Sequence, residues 1–152
     1  MTIQCDSREK PKELERIEKQ FDDIGVKHFV SKLYCGDYVS LDNSRNVVDR
    51  KKDLQELVGN VCQQHERFRN ELIRAQEAEI HITILCEHGG SIKTLEDVFF
   101  WDNPRLKKSP KAMTGQTLYR ELVTLQRKYG VEFQFCDKRN TGKRIVEILS
   151  ND

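Results

Sequence analysis

The sequence predicts an α/β fold, a mixed central β-sheet flanked by helices on both faces. Three observations carry that expectation. Residues 36–53 read as one strand, a tight turn and a second strand. The front half is rich in hairpin-linked strands, whereas the back half alternates helical and strand periods, which is the pattern of a two-faced mixed sheet. At 152 residues the chain is long enough for a proper core, and a single domain over residues 1–152 is expected.

The first element is a short strand at residues 2–5, ending in Asp6-Ser7-Arg8-Glu9. Pro11 suits a first helical position, and Leu14, Ile17, Phe21 and Ile24 then recur at three- and four-residue steps up to Gly25. Residues 26–33 read as a strand that leads into the hairpin, whose turn signal is Asp42-Asn43-Ser44. Residues 52–78 read as one long helix, because Leu54, Leu57, Val58, Val61, His65, Phe68, Leu72 and Ala75 form a continuous stripe. A buried strand is expected at 80–86. Ser91 is placed to cap a helix reaching Trp101. Residues 103–115 are irregular and basic, with Arg105, Lys107, Lys108 and Lys111 between and beside two prolines. Thr114 or Thr117 opens a helix ending at Gly130, residues 131–136 form the last strand, and a helix follows Asn140.

Composition excludes as much as it suggests. A formal net charge of +1 rules out a generally basic surface, so any phosphate-binding area is a local patch. The five cysteines include no Cys-x-x-Cys pair and no zinc-finger spacing, and Cys5, Cys86 and Cys136 lie in apolar runs. They read as small reduced hydrophobes. With no leader-like segment and no long apolar run, a cytoplasmic protein without a membrane span is expected.

The chemistry concentrates in the hairpin. Side chains two apart on a strand share a face, so Val47, Asp49 and Lys51 point one way and Val48 and Arg50 the other. Asp37 comes from the neighbouring strand. Two carboxylates suit a hard divalent ion, and an ammonium beside them suits the water that such an ion activates. Asp6 and Glu9 lie at another strand end, although Glu9 also fits a helix N-terminus, where a carboxylate offsets the dipole.

Asp6-x-Arg8-Glu9, Gly36-Asp37-Tyr38 and Val47-Val48-Asp49-Arg50-Lys51, in that order, resemble the nuclease domain of the XPF family of structure-specific endonucleases, part of the PD-(D/E)xK superfamily. The resemblance is clearest over residues 1–74, and Arg67-Phe68 also looks like the family's Gly-Arg-Leu segment. It implies a restriction-endonuclease-like fold and Mg²⁺- or Mn²⁺-dependent DNA hydrolysis. Asp37 and Asp49 would be principal metal ligands, with Asp6 and Glu9 as additional ones. Lys51 would orient and help deprotonate water, while Arg8 and Arg50 would contact phosphate. Arg67, Lys107, Lys108 and Lys111 are the candidate DNA-backbone contacts. The resemblance also implies a homodimer through the nuclease domain, using the exposed side of the last two helices.

The pattern departs from the family's in three places. Asp49 stands where the family usually has Glu. Gln55 stands where the motif's final Asp would fall, with Asp53 nearest. No tandem helix-hairpin-helix module follows, which points to a stand-alone bacterial or phage nuclease acting on branched, flapped or nicked DNA. A non-catalytic DNA-binding or scaffolding subunit and a Holliday-junction resolvase are the alternatives. Retention of Asp37, Asp49 and Lys51 weighs against the first.

Overall fold

The computed structural model describes residues 1–151, which contribute one six-stranded sheet. Strand β1 (Thr2–Cys5) leads through helix α1 (Pro11–Asp23) to a parallel neighbour, β2 (Lys27–Val30). On its other side β1 pairs antiparallel with β3 (Tyr38–Ser40), which pairs antiparallel with β4 (Asn43–Lys51). Helices α2 (Leu54–Cys62) and α3 (His65–Glu77) cross to β5 (His81–Cys86), parallel to β4. Helices α4 (Leu95–Val98) and α5 (Gly115–Tyr129) then lead to β6 (Glu132–Phe135), parallel to β5, and α6 (Thr141–Ser150) closes the chain. The sheet order is β2-β1-β3-β4-β5-β6. Among the described residues, no helix is long and apolar enough to cross a membrane.

Strand alternation sends Val47 and Ile84 into one core with residues of α2, α3 and α5, and Val48 and Leu85 into another with α1 and α6. Asp49 and Lys51 therefore belong to the first face of β4, and Arg50 to the second.

Four boundaries differ from the sequence expectation. The long helix is two: Gln63 and Gln64 both donate to the carbonyl of Gly59, and the chain restarts at His65. His65, expected in the apolar stripe, is exposed, so the stripe is interrupted where the helix breaks. The hairpin turn is tighter than expected, with Asn43 already in β4. Asp42 N–H donates to Ser40 Oγ and Arg45 N–H to Asn43 Oδ1, which close the turn on side chains. Thr94, not Ser91, caps α4, through a capping box with Asp97, and the helix is a single turn. Finally, β2 covers only four of the eight residues expected.

Candidate active site

Asp37 is positioned by backbone before side chains act. Gly36 has φ +72°, and a Cβ there would lie 2.2 Å from Val47 Cγ1, so the chain passes β4 at a distance that only glycine permits. Asp37 N–H then donates to Val48 C=O at 2.8 Å, while Asp37 C=O accepts from Asp6 N–H at 2.8 Å. Its Oδ2 accepts from Arg50 N–H at 2.7 Å, which leaves Oδ1 available. Burial, then the charges of Asp49 and Glu9, push the Asp37 carboxyl well above the usual carboxylate range. Lys51 Nζ lies 3.5 Å from Asp49 Oδ2 and over the Phe68 ring. Burial alone pulls the Lys51 ammonium down, but Asp49, Glu56, Asp37 and Glu71 outweigh it and hold the lysine charged. Asp37, Asp49 and Lys51 border one cavity of about 560 Å³.

Behind this face, Arg50 is locked. Its Nε and Nη2 donate to the two oxygens of Glu9 at 2.8 and 3.0 Å, and Nη1 donates to Glu87 at 2.6 Å. Glu87 also accepts from Arg16 at 2.7 Å and from the Thr141 hydroxyl. This network ties the segment before α1, α1 itself, β4, β5 and α6 into one unit.

The ERCC4 domain family model matches residues 5–149. This chain belongs to the ERCC4 domain family. Among solved structures it is similar to XPF from Aeropyrum pernix, with TM-score 0.66 and 20% identity over 99% of this chain and 60% of that one. The same protein in complex with DNA matches with TM-score 0.66 and 20% identity, covering 98% and 63%. At this identity the likeness establishes the fold, that of the XPF nuclease domain. The chain spans less than two thirds of those relatives' length. Among curated proteins no sequence match was found.

The remaining expected site residues of this ERCC4 domain are placed unevenly. Asp6 is buried, and its oxygens accept from Leu33 N–H and Arg8 Nε, both at 2.9 Å. It braces the turn rather than facing the cavity. Arg8 borders the cavity, but its Nη2 donates to Leu33 C=O. Glu9 borders it too, with both oxygens on Arg50 and one on the Tyr38 hydroxyl as well. Arg50, expected at phosphate, borders the cavity as well, with its guanidinium nitrogens hydrogen-bonded to Glu9 and Glu87. Asp53 caps α2 by accepting from Glu56 N–H. Arg67, Lys107 and Lys108 are exposed and outside the cavity; Lys111 borders a second one. The basic stretch itself begins with a 3-10 turn over Pro104–Lys107.

Two residues beside this cluster escape a reading of the sequence, and of the two only Arg105 borders the cavity. Glu71 on α3 is close enough to Asp49 that burial and that charge raise its pKa, against Lys51 and Arg74. Its position between the buried Phe68 and Leu72, at the edge of the apolar stripe, is the signal that marks it. Arg105, in the basic loop, borders this cavity where its neighbours Lys107 and Lys108 do not.

Proposed function

We propose that this chain is a divalent-metal-dependent DNA endonuclease that hydrolyses phosphodiester bonds to leave a 5′-phosphate and a 3′-hydroxyl. The observation that carries the reading is the pair of adjoining carboxylates, Asp37 and Asp49, with the Lys51 ammonium beside them at the rim of one open cavity. Burial first, and then the charges of Asp49 and Glu9, disfavour the ionised Asp37 carboxylate, and a bound cation would favour it. The donors are hard oxygens, as Mg²⁺ and Mn²⁺ prefer. Among the described residues no third His, Cys, Asp or Glu completes a preformed cluster. Mg²⁺ is commonly held by one or two carboxylates and completes its shell with water and substrate phosphate.

Bound there, a divalent ion would lower the pKa of a water and polarise a phosphoryl oxygen. The chain's own residues do the rest. Asp37, pinned by Gly36 and by the amide of Arg50, presents Oδ1. Asp49 offers its carboxylate from the adjacent strand. Lys51, held charged, would orient the attacking water and offset the negative charge developing on the phosphoryl oxygens. The buried Arg50 network fixes β4 behind them. Branched, flapped or nicked DNA is the proposed substrate class, and two chains pair through this domain.

The test is a panel of plain, nicked, flapped and branched DNA incubated with Mg²⁺, Mn²⁺ or EDTA, beside Asp49→Ala. Cutting that requires both metal and Asp49 is expected. Binding of the same DNA without cutting would leave the chain a DNA-binding subunit. Sedimentation equilibrium reads the pairing.

A further inference from the structure

We propose that a second groove, between α2 and residues 103–113, holds the single strand that leaves the scissile phosphate. This inference rests on the nuclease reading and assigns the substrate's path. The groove, about 400 Å³, shares Gln55 and Arg105 with the catalytic cavity, so the two chambers adjoin. Their charge differs in kind. The catalytic cavity is bordered by acids and bases together, whereas the only charged residues bordering the second groove are Arg105 and Lys111. Neither side chain makes an ion pair or hydrogen bond among the described residues. Both cations are therefore unneutralised in a groove without acids, which suits a polyanion.

The groove is built rather than formed by a loose loop. Asn103 is buried; its amide donates to Met113 C=O at 2.8 Å, closing the loop on itself. Its Oδ1 accepts from Arg105 N–H at 3.0 Å and from Gln55 Nε2 at 2.6 Å, which fastens the loop to the first turn of α2. Gly115 anchors the far end, since a Cβ there would lie 2.5 Å from the carbonyls of Val98 and Trp101. At the seam, Gln55 Oε1 is buried without a hydrogen-bond partner. Val58 and Met113 supply apolar wall against which a base can lie. Apolar wall beside two cations suits an unpaired nucleotide, which exposes both a base face and a phosphate, more than a duplex, whose bases are stacked inside. Lys107 and Lys108, equally basic, stand outside it.

Cys62 also borders the groove and is the exposed cysteine of the five, which gives a readout independent of cleavage. In EDTA, maleimide labelling of Cys62 is followed by mass spectrometry with and without single-stranded oligo-dT. With the oligonucleotide at about ten times its Kd, the labelling rate should fall about tenfold, the factor 1 + [L]/Kd. In fluorescence anisotropy, Arg105→Ala/Lys111→Ala should weaken oligo-dT binding about tenfold and reduce the salt slope by about 1.4, whereas Lys107→Ala/Lys108→Ala, removing the same charge, should cost less than about twofold. Unprotected Cys62, or equal losses in the two double variants, would overturn the groove assignment while metal-dependent cutting by the unmodified protein left the nuclease reading intact. Protection and selective loss without any metal-dependent cutting would do the reverse.

Discussion

Replacing Arg50 by Met tests whether the ion network behind β4 is a structural lock. The Arg50 side chain is 6% exposed, and its partners Glu87 and Glu9 are 0% and 8% exposed. Met fills similar space but leaves Glu9 with only the Tyr38 hydroxyl and Glu87 with Arg16 and Thr141. Breaking one side of a buried pair in this way costs about 3–5 kcal/mol, because the remaining charge stays out of water. For a domain of this size that lowers Tm by about 10 °C. The assay is a urea melt at pH 7, with an unchanged slope showing that both variants unfold to the same state. Arg45→Ala is the internal control, since Arg45 and Glu79 pair at 3.1 Å with 64% and 81% exposure, and its change should stay within about 0.5 kcal/mol. Adding Glu87→Gln to Arg50→Met should restore part of the loss, since it removes the stranded charge. A loss below about 1 kcal/mol for Arg50→Met would refute the lock and return Arg50 to a phosphate-contact role.

Three further outcomes follow from the same geometry. Asp37 has a folded-state pKa raised above the ordinary 3.8, so it opposes stability increasingly as pH rises from there through that value; Asp37→Asn should therefore raise stability at neutral pH in EDTA by about 0.5–2 kcal/mol, and a lower Tm would contradict the charge argument. Gly36→Ala should cost about 2–5 kcal/mol in a urea melt, combining left-handed backbone with the Val47 clash. Gly25→Ala, at φ +75° in open space, should cost only about 1–2 kcal/mol, and equal losses would remove the clash from the account. His88 Nδ1 accepts the Leu54 N–H, which needs the neutral ring, and burial holds its pKa below the ordinary 6.5 despite Asp53. The unfolded chain takes up that proton first, so the contribution is present above pH 6.5 and lost as pH falls from there through the folded value. Stability of wild type minus His88→Gln should decline over that range, and parallel curves would exclude it.

The hairpin and the facing of its side chains were readable from the sequence because a two-residue period leaves no freedom once Val47 and Val48 enter different cores. Gly36-Asp37-Tyr38 was legible as a motif, but its reason, the approach to Val47, exists only in three dimensions. The break between α2 and α3 was hidden because Phe68, Leu72 and Ala75 resume the phase of Leu54, Leu57 and Val61, and only the exposure of His65 between them betrays it. Asp6 and Arg50 carried residue types suited to metal and phosphate, yet their partners, Leu33 and Glu87, lie 27 and 37 positions away. No local pattern announces such pairs. Arg105 was indistinguishable from its basic neighbours until Asn103 fixed where the loop lies.

The central claim is that Asp37 and Asp49 hold one divalent ion between them. Room-temperature EPR of Mn²⁺, which reports the free ion, tests it directly when the metal is titrated into wild type, Asp37→Asn and Asp49→Asn. Wild type should deplete the free signal and both variants should leave it close to buffer alone. Equal depletion by all three proteins would place the metal elsewhere and contradict the account.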